Sequence, residues 1–275
     1  MKIHFAKMHG AGNDFIVIDD RECQVPWQDY GKMVALATRR TGIGSEGIIL
    51  IQPSETADFR MRFLNPDGAE AEMCGNGSRC VAWYAHHLGI AGKSMTIETL
   101  AGRLDAQIED SGNVRIWMPD PTERRYDLDL QLADDVVHAH YIVAGVPHLV
   151  VPVDDAAAVD VARDGAALRQ HEAFAPAGTN VDFVHYRAPN SIQMRTYERG
   201  VEAESGACGT GAVASAVVAV ETAGFTLPVR LHTSSGFELE VDGDWSNNRC
   251  TRLTLLGPAK LVFTGDVDLD DLVED

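Results

Sequence analysis

The order of apolar and polar positions along the chain predicts many short strands and few helices. Residues 58–64 alternate apolar side chains with Arg60 and Arg62, which is typical of a strand with one buried face. The turn sequence Asn65-Pro66-Asp67-Gly68 follows directly. The same reasoning predicts strands at residues 48–52, 94–99, 103–108, 114–118, 181–186, 191–198 and 229–233.

Two segments predict helices, and each follows a Cys-Gly-x-Gly sequence. Residues 78–88 carry apolar side chains at helical spacing and are followed by Gly89, a residue that commonly ends helices. Residues 212–220 consist of Ala, Val and Ser and have no polar face. Since a helix that is apolar all round must be covered by other structure, we expect a sheet wrapped round a central helix.

An internal repeat relates the two halves of the chain. Cys74-Gly75-Asn76-Gly77 reappears as Cys208-Gly209-Thr210-Gly211, at an offset of 208 − 74 = 134 residues. The same offset relates Gly44-Ser45-Glu46 to Gly178-Thr179-Asn180. An offset of 135 residues relates residues 9–20 to residues 144–155. The shared order predicts two related halves. We place them at residues 1–119, joined by the C-terminal residues 262–275, and at residues 120–261.

Composition and charge narrow the class of protein. The chain has 23 Lys and Arg against 41 Asp and Glu, a formal charge of −18. Phosphate backbones and anionic lipids would repel such a chain, so we expect neither nucleic acid nor membrane as a partner. Five cysteines are an odd, sparse set, which favours a reducing cytoplasm over a disulfide framework.

The sequence patterns that could bind a common cofactor or metal do not lie in the structural context that such binding requires. Residues 42–47 match G-x-G-x-x-G, but a helical segment at 34–40 precedes them and a strand follows, the reverse of the dinucleotide-binding order. Cys74, Cys80, His86 and His87 lack the spacing of a zinc site. None of the lysines lies in a glycine-rich setting suited to a Schiff base. We therefore expect no metal and no cofactor.

The two Cys-Gly-x-Gly elements predict a pair of chemically active thiols. A cysteine on the turn that opens a helix faces free N–H groups and the positive end of the helix dipole, which lowers its pKa. The same N–H groups suit a bound carboxylate. A thiolate and a thiol on opposite faces of a carbon atom could remove and return a proton, inverting that centre without a cofactor. Cys23, Cys80 and Cys250 are interpreted as inert buried side chains.

The motifs that carry this chemistry resemble those of the diaminopimelate epimerase family. The resemblance implies interconversion of LL- and meso-2,6-diaminopimelate without a cofactor, for lysine and peptidoglycan synthesis. It also implies an α/β (α+β) fold of two pseudo-symmetric halves, each a barrel-like, mostly antiparallel sheet round a central helix, in a homodimer. The matching motifs are Lys7-Met8-His9-Gly10-Ala11-Gly12-Asn13-Asp14-Phe15, Asn65-Pro66-Asp67-Gly68, Cys74-Gly75-Asn76-Gly77-Ser78-Arg79, Pro147-His148, Tyr197-Glu198-Arg199-Gly200 and Ala207-Cys208-Gly209-Thr210-Gly211.

The resemblance also implies a role for individual residues. Cys74 and Cys208 would be the acid/base thiols, and His148 and Glu198 would assist them. The carboxylate at the reacting centre would be held by Gly75, Asn76, Gly209 and Thr210. The rest of the substrate would contact Asn13, Asn65, Asn180, Glu198 and Arg199, with Glu46 beside the site.

Two departures from the family pattern leave the substrate open. Val146 stands where many members carry Asn, and Glu46 stands where they carry Asp. One alternative is a racemase of histidine, proline or hydroxyproline that uses the same two thiols. Proline racemases usually have His where Asn76 stands, which counts against that substrate. A second alternative is a small-molecule binding protein without catalytic activity.

Overall fold

The protein is described from a computed structural model, which defines residues 1–132, 135–187 and 189–272. Within these ranges the chain forms 18 strands and four α-helices, which we number in chain order. The strands are β1 (Lys2–Gly10), β2 (Asn13–Asp19), β3 (Ile48–Gln52), β4 (Phe59–Leu64), β5 (Glu70–Ala71), β6 (Ser94–Thr99), β7 (Gly102–Ile108), β8 (Val114–Trp117), β9 (Thr122–Leu132), β10 (Asp135–Ala144), β11 (Val146–Pro152), β12 (Asn180–Arg187), β13 (Ser191–Glu198), β14 (Ala203–Ser205), β15 (Val229–His232), β16 (Glu238–Ser246), β17 (Arg249–Gly257) and β18 (Lys260–Asp268). The helices are α1 (Tyr30–Ala37), α2 (Gly75–His87), α3 (Val161–Arg169) and α4 (Gly209–Thr222).

The chain divides into two units, Met1–Ile116 with the described part of Gly257–Asp275, and Trp117–Leu256. In the first unit the strand order is β18-β1-β2-β3-β4-β6-β7-β8, with β5 also paired to β4. Only β2–β3 and β4–β6 are parallel among these pairs of described strands. The sheet is therefore mostly antiparallel.

The second unit repeats this topology strand for strand. Its order is β9-β10-β11-β12-β13-β15-β16-β17, with β14 paired to β13. Its parallel pairs, β11–β12 and β13–β15, occupy the same places as the two parallel pairs of the first unit. The internal repeat seen in the sequence is thus a repeat of fold.

Each unit has a central helix against its sheet. Helix α2 packs on β1, β2, β3, β4, β7 and β18, and helix α4 packs on β10, β11, β12, β13, β15 and β16. Every residue from Gly211 to Val220 is buried, which explains why that segment of α4 has no polar face. The prediction of a sheet wrapped round a central helix is confirmed in both halves.

A second helix packs on the sheet of each unit. In the first unit, Met33 and Leu36 of α1 join one apolar cluster with Ile16 of β2 and Ile48 of β3. In the second, Val161 and Leu168 of α3 do the same with Leu149 of β11 and Val181 of β12. The neighbouring strand residues point to the opposite face, which leaves that face for the central helix.

The central helices begin earlier than the sequence pattern predicts. Helix α2 starts at Gly75 rather than at residue 78, and α4 starts at Gly209 rather than at residue 212. Glycine has a low helix propensity, so a pattern-based prediction excludes it from the helix interior. In the structure the glycines form the buried first turn of each helix, and both cysteines are the residues that cap the helices.

Two helical glycines provide a test of the packing. A Cβ added to Gly165 of α3 would lie 2.5 Å from Cβ of Tyr197, whereas one added to Gly31 of α1 would meet nothing closer than 3.4 Å. We expect Gly165→Ala to lower the free energy of unfolding by about 1–3 kcal/mol through overpacking. Gly31→Ala should leave it unchanged or raise it by roughly 0.5 kcal/mol. Urea unfolding followed by circular dichroism measures both, and equal effects would contradict the packing described here.

Candidate active site

Cys74 lies at the N-terminus of the first central helix. Its backbone is extended, with φ −133° and ψ 116°, so it caps α2 without joining it. The Cys74 carbonyl accepts the Ser78 N–H at 2.7 Å and the Ser78 hydroxyl at 2.9 Å. The first N–H groups of any α-helix have no partner inside the helix. The thiol therefore lies beside backbone donors that can bind an anion.

Three residues predicted to line the site gather around Cys74. Its sulfur lies 3.8 Å from Oδ1 of Asn13, and the amide of Asn76 donates to the same oxygen at 3.3 Å. The amide of Asn13 in turn donates to the carboxylate of Glu46. Burial raises the pKa of Glu46, and the hydrogen bond from Asn13 partly opposes that rise. The first thiol is thus surrounded by amides that hold its geometry.

Arg79 is an unpredicted part of this arrangement. Its guanidinium is fully buried and donates to Oδ1 of Asn76 at 2.6 Å and to the carbonyls of Gly75 and Pro258 at 3.4 Å. Burial lowers its pKa to about 10, and the nearby thiols of Cys80 and Cys74 oppose that change. No carboxylate of the described chain forms an ion pair with it. The residue stood in a matched motif, yet nothing in the sequence showed that it would be buried.

Cys208 caps the second central helix in the same way, but its neighbours differ. The side chain is 6% exposed, and its sulfur lies 3.5 Å from Oγ1 of Thr210. That hydroxyl lies 2.9 Å from Nε2 of His148. Nδ1 of His148 lies 2.7 Å from Oδ2 of Asp182, and both of these side chains are fully buried. The second thiol is therefore connected to a buried imidazole–carboxylate pair.

The expectation of a lowered thiol pKa is wrong at Cys208. Burial raises the pKa of this thiol well above its usual value, and the carboxylates of Glu198 and Asp182 add to the rise. The contact with the Thr210 hydroxyl and a hydrogen bond from the Gly211 N–H act in the opposite direction but are outweighed. The helix terminus stabilises a thiolate, yet loss of solvation and two nearby negative charges cost more.

Asn180 organises the loops on the other side of His148. Its amide nitrogen donates to the carbonyl of Pro147 at 2.9 Å, and its Oδ1 accepts the N–H of Arg199 at 2.8 Å. One side chain thereby fixes the segment that carries His148 and the segment that carries Glu198 and Arg199. A direct contact of Asn180 with substrate stays a prediction.

The residues predicted for the site fall into two groups, one in each unit. The first group surrounds the N-terminus of α2, apart from Asn65, which opens the turn closed by hydrogen bonds to Gly68 and Ala69 at 2.9 Å. The second group surrounds the N-terminus of α4. The members are Asn13, Glu46, Asn65, Cys74, Gly75 and Asn76 in the first unit, and His148, Asn180, Glu198, Arg199, Cys208, Gly209 and Thr210 in the second.

Of the remaining three cysteines, two are buried as expected and one is not. Cys80 and Cys250 are buried, and burial raises the pKa of both, that of Cys250 to about 12. Cys23 is exposed, so the interpretation of this residue as a buried side chain is wrong. It lies in a turn after β2, at a positive φ of 54°, between the polar residues Glu22 and Gln24.

One group of side chains in the described ranges has the composition of a metal site. Possible ligand atoms of Asp127, His138 and His140 lie within 4.8 Å of one another. However, Nδ1 of His140 already accepts the backbone N–H of Asp127 at 3.2 Å. That lone pair is therefore used within the fold, and the group gives no support for a metal-dependent function.

The fold places the chain in a defined structural class. It superimposes with a TM-score of 0.73 on a phenazine biosynthesis protein of the PhzF family from Bacillus anthracis, covering 98% of this chain and 99% of that one at 16% identity. A probable proline racemase from Agrobacterium radiobacter gives a TM-score of 0.72, covering 98% and 93% of the two chains at 19% identity. The protein thus has the two-repeat α/β fold that these proteins share.

Sequence comparison narrows that class to one family. The diaminopimelate epimerase family model matches residues 5–123 and again residues 140–262. The diaminopimelate epimerase of Chlorobaculum tepidum is 39% identical, over 95% of this chain and 100% of that protein. The enzyme of Aquifex aeolicus is 42% identical, over 87% and 90%. The chain belongs to the diaminopimelate epimerase family, a family of isomerases.

A search for membrane-spanning segments gave a negative result. Within the described ranges, no helix has both the length and the apolar character that crossing a bilayer requires.

Proposed function

We propose that this protein interconverts LL- and meso-2,6-diaminopimelate by two-thiol acid/base catalysis without a cofactor. The observation that carries the proposal is that each repeat places a thiol at the N-terminus of its own buried helix, in a chain of this family. One thiol removes the α-proton of the substrate, and the other delivers a proton to the opposite face of the same carbon. The centre is thereby inverted.

The helix N-termini account for the stability of the intermediate. Backbone N–H groups of Gly75, Asn76, Gly209 and Thr210 would hold the carboxylate attached to the reacting carbon. Removal of the α-proton places negative charge on this carboxylate, and donors already in position stabilise that charge. The structure supports this role because both helices begin directly after the cysteines.

The other end of the substrate supplies the specificity. Diaminopimelate carries a second amino acid group, which needs a cation for its carboxylate and an anion for its ammonium group. Arg199 and Glu198 are adjacent at the end of β13 and offer these charges, and the Asn180 side chain fixes the Arg199 backbone. Asn65 would add an amide contact.

A racemase of another amino acid is the second candidate. The observation in its favour is Val146, an apolar residue directly before Pro147-His148. A probable proline racemase, and a hydroxyproline epimerase from Agrobacterium vitis with bound trans-4-hydroxy-L-proline, share this fold, with TM-scores of 0.72. Besides proline and hydroxyproline, histidine is a possible substrate of such a racemase. A protein that binds such a ligand without catalysis is the third candidate.

Exchange of the α-proton with solvent distinguishes the candidates. The wild-type protein is incubated in D₂O with a reductant and no added cofactor, and separate samples contain LL-diaminopimelate, L-proline, trans-4-hydroxy-L-proline or L-histidine. We expect loss of the α-proton NMR signal and formation of the meso isomer with diaminopimelate alone. Exchange of the α-proton of another amino acid would contradict diaminopimelate as the substrate but would agree with the two-thiol mechanism. Absence of exchange in all four samples would favour a binding protein.

We further propose a cytoplasmic homodimer. The family resemblance supports this assembly, and the acidic composition supports a protein that avoids anionic surfaces. Sedimentation equilibrium should give twice the chain mass of 29.8 kDa. A single species at the chain mass would contradict the dimer without affecting the proposed reaction.

A further inference from the structure

A buried chain of hydrogen bonds ends at a residue that no sequence motif singled out. From Cys208 it passes through the Thr210 hydroxyl at 3.5 Å and His148 at 2.9 Å to Asp182 at 2.7 Å. The second carboxylate oxygen of Asp182 accepts the hydroxyl of Thr196 at 2.7 Å. Both oxygens of this fully buried carboxylate are therefore held in place.

With an ionised Asp182 and a neutral His148, the chemistry of the side chains gives each hydrogen bond in the chain one direction. An ionised carboxylate only accepts, so Nδ1 of His148 carries the hydrogen that faces Asp182. In a neutral imidazole the other nitrogen, Nε2, is then an acceptor, and the Thr210 hydroxyl donates to it. The Thr210 oxygen is left to accept the S–H of Cys208. Each group can thus pass a proton towards His148.

The sequence motif at the helix start is fitted to this carboxylate. A Cβ added to Gly211 would lie 2.4 Å from Oδ1 of Asp182. Neither the helix backbone nor a carboxylate held by two hydrogen bonds can move away easily. The carboxylate of Asp182 therefore packs against the second glycine of Cys208-Gly209-Thr210-Gly211, where any side chain would collide with it.

The first repeat lacks an equivalent chain of titratable groups. Asn76 occupies the place of Thr210 (210 − 76 = 134) and contacts Asn13 at 3.3 Å, as Thr210 contacts His148 at 2.9 Å. The residue in the place of Asp182 is Ile49, because a Cβ added to Gly77 would lie 2.9 Å from Cδ1 of Ile49, just as one added to Gly211 would lie 2.4 Å from Oδ1 of Asp182. Amide side chains do not take up a proton at ordinary pH. The proton chain is consequently a feature of the second thiol alone among the described residues of the two repeats.

We propose that Asp182 is a positioning residue that sets the tautomer of His148, so that His148 serves as the proton acceptor of Cys208 through the Thr210 hydroxyl. This proposal rests on the function proposed above. In the step itself, the S–H bond of Cys208 breaks as its proton moves to the Thr210 oxygen, and the proton of Thr210 moves to Nε2 of His148. The products are a thiolate and an imidazolium, and the carboxylate of Asp182 offsets the charge of the imidazolium. Reversal of the step returns the proton to sulfur.

Other charges around Cys208 make such a step necessary. Glu198 on β13 and Asp182 on β12 both disfavour the thiolate, and burial disfavours it further. An acceptor that gains positive charge next to the thiolate compensates for these effects. Without His148 in the correct tautomer, Cys208 would stay protonated and act only as an acid.

Substitution of Asp182 by Asn tests the proposal. An Asn side chain at this position accepts from Thr196 and donates to Nδ1 of His148, which moves the imidazole hydrogen to Nε2. That hydrogen then faces the Thr210 oxygen, so the chain can no longer accept the proton of Cys208. For Asp182→Asn we expect a roughly hundredfold fall in kcat for LL-diaminopimelate, within the range that general acid–base groups contribute, and little change in KM. Asp20→Asn is the matched control, because the Asp20 carboxylate is also buried but accepts hydrogen bonds from residues 24, 25 and 52, all outside the predicted site.

A readout without substrate separates this proposal from the proposed function. Long-range ¹⁵N–¹H NMR of the free wild-type protein should show His148 with its hydrogen on Nδ1, and Asp182→Asn should move it to Nε2. The rate of Cys208 alkylation by iodoacetamide, measured by peptide mass spectrometry, should fall at least tenfold at pH 8 in that variant. A wild-type hydrogen on Nε2, or unchanged alkylation in a folded variant, would overturn the role of Asp182 even if the epimerase activity is present. Absence of wild-type epimerisation would instead overturn the proposed function, while the tautomer and the alkylation rate still test Asp182.

Discussion

Replacement of either Cys74 or Cys208 by alanine is expected to abolish conversion of LL- to meso-diaminopimelate. Inversion needs a proton acceptor on one face of the α-carbon and a proton donor on the other, and each repeat provides one thiol. Positioned acid or base groups contribute about 10²–10⁴-fold each, so kcat should fall at least 1,000-fold when one face has none. A chiral-phase separation of the product isomers after overnight incubation measures the loss.

The two alanine variants should differ in a second measurement. A single remaining thiol can still remove a proton, exchange it with D₂O and return a deuteron to the same face. We therefore expect one variant to incorporate deuterium into LL-diaminopimelate with retention of configuration and the other to incorporate none. The active variant identifies the thiol that faces the α-hydrogen of the LL isomer.

Cys23→Ala provides the control for these variants. This thiol is exposed and lies in a turn of the first unit, and no residue of the predicted site contacts it through a hydrogen bond in the described chain. Its loss should leave kcat and KM unchanged. Full epimerase activity in Cys74→Ala or Cys208→Ala would contradict the two-thiol mechanism and favour a different acid or base.

The sequence predicted those parts of the fold that depend on local pattern. The alternation at residues 191–198 gave the bounds of β13 correctly, and the apolar segment of α4 revealed a central helix. The repeat of Cys-Gly-x-Gly showed that both thiols have equivalent positions. These features are local because strand alternation and helix amphipathicity report which face of an element is buried.

Contacts between distant residues could not be predicted in the same way. In the sequence, Asp182 is a single polar residue in the apolar strand Val181-Asp182-Phe183-Val184. Its partner His148 is 34 residues away. The two meet because β11 and β12 pair in parallel, with His148 opposite Asn180. The sign of the pKa change at Cys208 depends on burial and on two carboxylates from other strands, neither of which the motif contains.

Arg79→Met is expected to impair the first thiol through charge rather than through shape. The buried guanidinium and the thiol of Cys74 attract each other when the thiol is ionised, as the effect of Cys74 on the pKa of Arg79 shows. Removal of the cation makes the Cys74 thiolate less favourable. An opposite charge within a few ångströms typically changes a pKa by about 1–3 units. We expect the acidic limb of the pH profile of kcat/KM to move upward by about one pH unit, with a roughly tenfold loss of rate at pH 7.

The two repeats explain why this effect should be confined to one thiol. The residue in the place of Arg79 in the second repeat is Val213 (213 − 79 = 134), so Cys208 has no buried cation on its own helix turn. Cys208 instead faces Glu198 and Asp182, which favour the protonated thiol. We therefore expect Cys74 to form its thiolate with the help of a buried cation, and Cys208 to depend on a proton acceptor for the same step. In the proposal above, His148 positioned by Asp182 is that acceptor.

Arg62→Met is the matched control for Arg79→Met. Arg62 is nearly buried in the same unit, and burial lowers its pKa as well, but it pairs with Glu70 at 2.7 Å and with Gln52 rather than with a thiol of the predicted site. Its substitution should leave the pH profile of kcat/KM in place, whatever it does to the free energy of unfolding. A pH profile that moves equally in both variants, or that stays fixed in Arg79→Met while kcat falls, would show that Arg79 acts on the position of Asn76 and not on the charge of Cys74.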